Sequence, residues 1–184
     1  MIFLAIDLPD QTVTDNLTGL VWSKNAGTPT VGSCTGGNMK WQAALDYVDC
    51  LNNANYLGYS DWRLPNINEI ESLINVGLAN PGAWLISQGF ANVQIVNSLD
   101  YLVSYWSSTP ICNDTYDAWA VIIGDGWINP MNDKNYNEFV WPVRAGQTGA
   151  FGNAFIWATG QTETYSPADK GLVVNGMPPD WQAK

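Results

Sequence analysis

The stretch YWSSTPICNDTYDAWAVIIGDGWINPMNDKNYNEFVWPVRAG, residues 105–146, decides how the chain is read. Its apolar residues fall in four short runs separated by turns rich in Asn, Asp, Gly and Pro. Trp119, Val121 and Ile123 alternate with Ala118, Ala120 and Ile122, the period-two pattern of a strand. Val140 and Val143 flank Trp141 in the last run, and Gly124-Asp125-Gly126 is a tight-turn signal between two others. Between the strands sit side chains that hydrogen-bond and stack, Tyr136 and Asn137 among them. The candidate ligand contacts are Asn113, Thr115, Tyr116, Trp127, Asn129, Asn132, Asp133 and Asn135. Tyr and Trp would stack on a sugar face or fill a partner's pocket, while Asn and Asp would read hydroxyls. A sheet carrying such loops is a recognition surface more readily than a catalytic centre.

Upstream, residues 12–22 (TVTDNLTGLVW) read as strand, turn, strand, with Leu20 and Trp22 pointing the same way. A helix is predicted from Lys40 to near Asn52, because Trp41, Ala44, Leu45, Val48 and Leu51 form one apolar stripe. Cys50 lies about half a turn from that stripe, which turns it away from the core. Cys34, in the preceding Gly/Thr/Ser-rich loop, is its nearest partner in sequence. A Cys34–Cys50 disulfide is expected; Cys112 paired with Cys34, or three free thiols in a reducing compartment, stay open as alternatives. A second helix begins after Pro65, where Asn66 caps and Glu69 completes a capping box. Its stripe is Ile67, Ile70, Leu73 and Ile74, and Gly77 stops it. Residues 78–102 read as irregular, with Pro81-Gly82 a turn and Phe90, Val93 and Ile95 plugging the core. After Gly146 the chain turns Gly-rich, with one apolar run at Phe155-Ile156-Trp157 and no helix pattern. Residues 1–146 are therefore taken as one domain and 147–184 as an extended tail. The predicted fold class is α+β.

Seven basic against seventeen acidic residues give a formal net charge of −10. That argues against nucleic acid and anionic membrane surfaces, which need a basic footprint. Histidine is absent, which removes the usual general base and the commonest zinc ligand. Ser107-Ser108 thus lacks a histidine partner, and Glu69 with Glu71 falls on a helix surface, so no enzyme is expected. No cofactor is expected either; calcium is the alternative, since Asp114, Asp117, Asp125, Asn132 and Asp133 offer hard oxygen ligands without a D-x-D-x-D-G loop. Ten Trp and eight Tyr are many for 184 residues, and core packing is expected to take most of them. The apolar opening, Met1 to Ile6, lacks the basic flank and cleavage site of a signal peptide, and no run has the length of a membrane span.

Five motifs, in order, resemble one family: TVTDNLTGLVW (12–22), WQAALDYV (41–48), GYSDWRLPNINEI (58–70), YWSST (105–109) and VWPVRAG (140–146). Together they are similar to the Lcl C-terminal domain family, named for a bacterial collagen-like adhesin. The resemblance implies a C-type lectin-like fold, with two helices packed on a small, mostly antiparallel sheet and long ligand-presenting loops. In some members of this group the varied positions lie between the YWSS and PVR motifs, where residues 111–117 and 125–137 fall here. The paired cysteines of the formylglycine-generating branch have no counterpart in Cys34, Cys50 and Cys112. Trp62, Arg63 and Arg144 sit inside family motifs and are expected to serve the scaffold, a half-buried Arg needing a carboxylate partner. TGQTETYSPADKGL (159–172) is similar to a segment that precedes the next copy in tandem members. The implied function is an extracellular or cell-surface, adhesin-like module binding a glycan or a protein, its export signal not present in this chain. The alternative is a self-assembling surface subunit, a homo-oligomer built by strand addition through residues 147–184.

Overall fold

The computed structural model describes residues 4–7, 11–96, 103–112 and 114–144. The tail at 147–184, its boundary with the domain and Asn113 lie outside the described residues. In chain order the elements are β1 (Leu4–Asp7), β2 (Thr12–Asp15), β3 (Val21–Ser23), α1 (Trp41–Asn53), a 3-10 turn (Tyr56–Gly58), α2 (Ile67–Glu71), α3 (Pro81–Ser87), β4 (Ser104–Pro110), β5 (Asp117–Ile122), β6 (Trp127–Asp133) and β7 (Val143–Arg144). The class is α+β, as predicted, and every pairing between these strands is antiparallel.

The four late apolar runs do not stay together. Three of them form a sheet of order β4-β5-β6, while β7 crosses to a second sheet of order β1-β2-β3-β7. The crossing segment first lies along the outer edge of β4, where Trp106 N–H donates to the Phe139 carbonyl and Phe139 N–H to the Ser104 carbonyl. Pro142 then supplies no donor, its carbonyl accepts from Ser23 N–H, and Val143 falls opposite Trp22. Arg63 closes the far side of β7 by exchanging both backbone hydrogen bonds with Val143.

The three-stranded sheet has a core on each face, and strand alternation assigns its residues to one or the other. Tyr105, Val121 and Ile123 face a cluster with Val13, Leu20, Trp22, Ile70, Leu85 and Phe90. Trp106, Ala118 and Ala120 face a cluster with Ala44, Tyr47, Val48, Leu51, Trp62 and Leu64. The small alanines leave room for α1 on their side. Of the ten tryptophans, Trp22, Trp62, Trp106 and Trp141 are fully buried, so the core takes the largest share of those described.

Helix α1 ends within a residue of its prediction, and Tyr47 joins its buried stripe, its hydroxyl donating to the Pro29 carbonyl at 2.5 Å. Cys50 bonds to Cys34. It is not turned away from the core, as its spacing implied, but packs at the edge of the α1 cluster, because Tyr47 widens the stripe toward it. Helix α2 carries the predicted Asn66–Glu69 capping box but stops at Glu71 instead of Gly77; Leu73 is buried beyond its end all the same. Pro81-Gly82 starts helix α3 rather than forming a turn. Asn80 caps it by accepting from Ala83 N–H at 2.8 Å, and Pro81 takes the first helical position, where no donor is needed. Phe90 and Val93 are buried, and Ile95 packs against the same cluster.

The GYSDWRLPNINEI motif supplies several of the ties that hold the scaffold. Both terminal guanidinium nitrogens of Arg63, Nη1 and Nη2, donate to the Glu69 carboxylate at 2.6 Å, and the same carboxylate accepts Asn66 N–H. Asn52 clamps the backbone of Trp62 with two hydrogen bonds. Arg144 meets Asp61 at 2.6 Å and lies 3.9 Å above the Tyr59 ring. The two ion pairs differ in burial: Arg63 and Glu69 are 15% and 11% exposed, whereas Asp61 is 51% exposed. Glu69→Ala is therefore expected to lower the unfolding free energy by roughly 3 kcal/mol, since it strands a buried guanidinium and removes a cap. Asp61→Ala should cost no more than about 1 kcal/mol. Urea unfolding of both variants checks the contrast. In the same assay, replacing Cys34 and Cys50 together by Ser, which opens a loop of sequence separation 16, should cost roughly 3 kcal/mol.

Candidate ligand-binding surface

The hairpin of β5 and β6 places most of the candidate contacts. Its register runs from Asp117 opposite Asp133 to Ile122 opposite Trp127. Between Ala118 and Ala120 one residue faces two on β6, a bulge that holds Pro130 without breaking a needed hydrogen bond. The turn after Ile122 closes through Gly126, whose φ of +78° suits glycine, and whose N–H donates to the Ile122 carbonyl.

This geometry separates the eight candidates. Thr115, Tyr116, Asp133 and Asn135 gather at the open end of the hairpin, where the β4–β5 loop meets the segment after β6. Trp127 stands at the turn end, roughly 20 Å away along a seven-residue strand. Asn129 lies between, and its amide donates to Asn132 Oδ1 at 3.1 Å. Asn132 is 3% exposed and donates to Glu138 Oε1 at 3.2 Å, so it braces the sheet from within.

At the open end the backbone is tied at many points. Lys134 N–H donates to the Tyr116 carbonyl, and its ammonium donates to the Thr115 carbonyl at 3.0 Å while lying 4.8 Å from the Trp41 ring centre. Trp41 N–H donates to the Lys134 carbonyl, and its indole N–H reaches the Ser107 carbonyl at 2.8 Å. Asp114 accepts from Tyr116 N–H at 2.7 Å and Asp133 from Asn135 N–H at 2.8 Å, two local turns of the kind Asx residues favour. On this frame Tyr116 is 74% exposed and Tyr136 58% exposed. Trp41 and Lys134 were not among the candidates. They are far apart in sequence, and Trp41 reads there only as the first residue of a helix stripe.

The charges here are mostly negative. Partial desolvation, then the neighbouring carboxylates of Asp114 and Asp133, push the Asp117 carboxyl above its ordinary range, with Lys134 pulling the other way. Burial raises Glu138 as well, against the hydrogen bonds it accepts from Asn132 and from Ser104 N–H. Among the described residues no three His, Cys, Asp or Glu side chains are grouped as a metal site would need. A cleft of about 370 Å³ opens over the Cys34–Cys50 bond, lined by Met39, Ala43, Asp46 and Tyr47 among others. Its size is at the low end for ligand pockets, which run from about 300 to 1,000 Å³.

These features define a small α+β domain in which a sheet buried on both faces carries a polar and aromatic loop surface at one end. The chain belongs to the Lcl C-terminal domain family, whose model matches residues 11–144. No curated protein matches the chain. Among the described residues no helix is long and apolar enough to cross a membrane.

Because burial raises the Glu138 pKa, the folded protein holds that proton more tightly than the unfolded chain does. The group's contribution to stability is therefore largest below its ordinary value of 4.5 and is lost as pH rises through the folded value. Glu138→Gln cannot titrate. Its stability relative to the parent should shift in the variant's favour as pH rises from 4.5 toward neutrality. Urea unfolding at a series of pH values measures this, and a difference independent of pH would contradict it.

Proposed function

We propose that this protein is an extracellular, adhesin-like binding module that recognises a glycan or a protein through the loops at the open end of the β5–β6 hairpin. The observation that carries the reading is the exposure of Tyr116 and Tyr136 on a backbone held by hydrogen bonds from both sides. Large aromatic side chains on a pre-ordered frame bury area on binding at a small entropic cost. Thr115, Asn135 and Asn137 stand exposed beside them and supply donors and acceptors for hydroxyl or amide groups. The Cys34–Cys50 bond supports a location outside the reducing cytosol. Membership of a family named for an adhesin supports the cell surface, and its lectin-like resemblance supports ligand presentation by loops. The reading is of binding without catalysis and without a cofactor.

A glycan array and a pull-down from the native environment, both with folded protein, identify the ligand. Tyr116→Ala and Tyr136→Ala should each weaken binding by at least about 1 kcal/mol, roughly fivefold, with the unfolding midpoint unchanged. Trp127→Ala, at the far end of the hairpin, should leave that affinity as it was. Parent-like binding by the Tyr116→Ala/Tyr136→Ala double variant would overturn the assignment.

A further inference from the structure

The open end of the hairpin repeats a piece of chemistry that the chain uses elsewhere with its partner in place. Tyr59 and Asp61, two residues apart, together hold Arg144. Its guanidinium lies 3.9 Å from the Tyr59 ring centre, and its Nε donates to Asp61 Oδ1 at 2.6 Å. A planar, delocalised cation satisfies both groups at once, the ring by stacking and the carboxylate by a charge-assisted hydrogen bond. The open end carries the same pair, in reverse order, in Asp114-Thr115-Tyr116, with Asp117 next in the chain. It recurs one residue wider in Asp133-Lys134-Asn135-Tyr136. Here both tyrosines face solvent.

The carboxylates at this end are short of counter-charge. Asp117 and Asp133 stand directly opposite each other across β5 and β6, a position where like charges destabilise a strand pair. Beyond its own partial desolvation, the Asp117 carboxyl feels Asp114 and Asp133 as like charges and Lys134 as the opposing one. The Lys134 ammonium is already held by the Thr115 carbonyl and the Trp41 ring. Both arginines of the chain are engaged elsewhere, Arg63 with Glu69 and Arg144 with Asp61. An arginine for this surface therefore has to come from another molecule. A neutral glycan would leave the repulsion in place, and a sulfated or carboxylated one would add to it. A guanidinium removes it while stacking on an exposed ring.

We propose that the ligand of the open end is a protein whose surface presents arginine, its guanidinium packed on Tyr116 or Tyr136 and paired with the carboxylates of Asp117 and Asp133. This rests on the binding surface proposed above and narrows its ligand to a basic protein surface.

NMR titration of the full chain tests this, with a peptide of Gly-Ser-Arg repeats and the same peptide carrying neutral citrulline for arginine. The arginine peptide should shift amide resonances at 114–117 and 133–137 and leave those of the turn at 124–127 in place. Its dissociation constant should be at least about fivefold below that of the citrulline peptide. Asp117→Asn/Asp133→Asn should raise it about fivefold, and Tyr116→Ala/Tyr136→Ala by a similar factor. Asp49→Asn/Asp125→Asn makes the same change in net charge at exposed positions away from the open end, and should raise it less than about twofold. Removing the facing charges should leave the urea midpoint unchanged or higher, which verifies that the variant is folded. Equal affinity for the two peptides, or equal losses in the two Asp→Asn pairs, would overturn the proposal. So would a neutral glycan, found on the array, whose binding falls in the tyrosine variant but not in Asp117→Asn/Asp133→Asn; that result leaves the binding surface standing. A ligand indifferent to both variants removes the surface as well.

Discussion

The indole of Trp141 holds the two sheets in one relation. Its ring lies 5.7 Å from Trp22 of the first sheet, 5.4 Å from Tyr105 of the second and 4.8 Å from Phe90 after α3. Its N–H donates to the Ser23 carbonyl at 2.8 Å inside the core. A buried aromatic of this size with a satisfied polar tip contributes both area and direction. The neighbouring Val140 turns to the opposite core. There its backbone N–H and C=O are both bound by the hydroxyl of Thr28, at 2.8 and 2.9 Å. Thr28 adopts a φ of +50°, unfavourable for a β-branched residue by on the order of 1–3 kcal/mol, and the pair of buried hydrogen bonds offsets that strain.

This arrangement explains how a short hairpin can present loops in a constant position. A sheet with a core on each face cannot slip register by one residue without exchanging Ala118 and Ala120 for Val121 and Ile123 against α1. The outer edge of β4 is covered by the segment through Phe139, and Pro130 removes a donor from β6. Polar loops at the open end thus sit on a frame that does not depend on their own side chains. The buried polar residues serve that frame: Asn132 and Glu138 brace β6 against the start of β4. The same physics leaves Tyr116 and Tyr136 exposed, because nothing in the frame requires them inside.

Much of the scaffold was legible because its signals are local. The alternation at 118–123, the apolar stripe of α1 and the Asn66–Glu69 box each lie within a few residues, and short-range periodicity and capping act at that distance. The Cys34–Cys50 bond also followed from spacing, although the packing of Cys50 against the edge of the α1 cluster did not. The site was legible only in part. The turn at Gly124–Gly126 already implied that Trp127 sits at one end of a hairpin and Tyr116 at the other, but composition alone grouped them. The burial of Asn132 had no sequence signal, since Asn in a loop-rich stretch reads as a turn former.

Sequence by itself therefore determined most of the elements, though neither β1 nor α3, where the other two helices begin, and which loops carry the polar and aromatic side chains. Tertiary structure alone decided that β7 leaves its neighbours to pair with β3, that Trp41 and Lys134 brace the open end, and that the candidate contacts divide between two ends of a hairpin. The reason is one of range. Helix stripes, caps and strand alternation are encoded by near neighbours, whereas burial of a polar side chain depends on which distant partner satisfies its hydrogen bonds, and that partner is brought close only when the two cores close around Trp141.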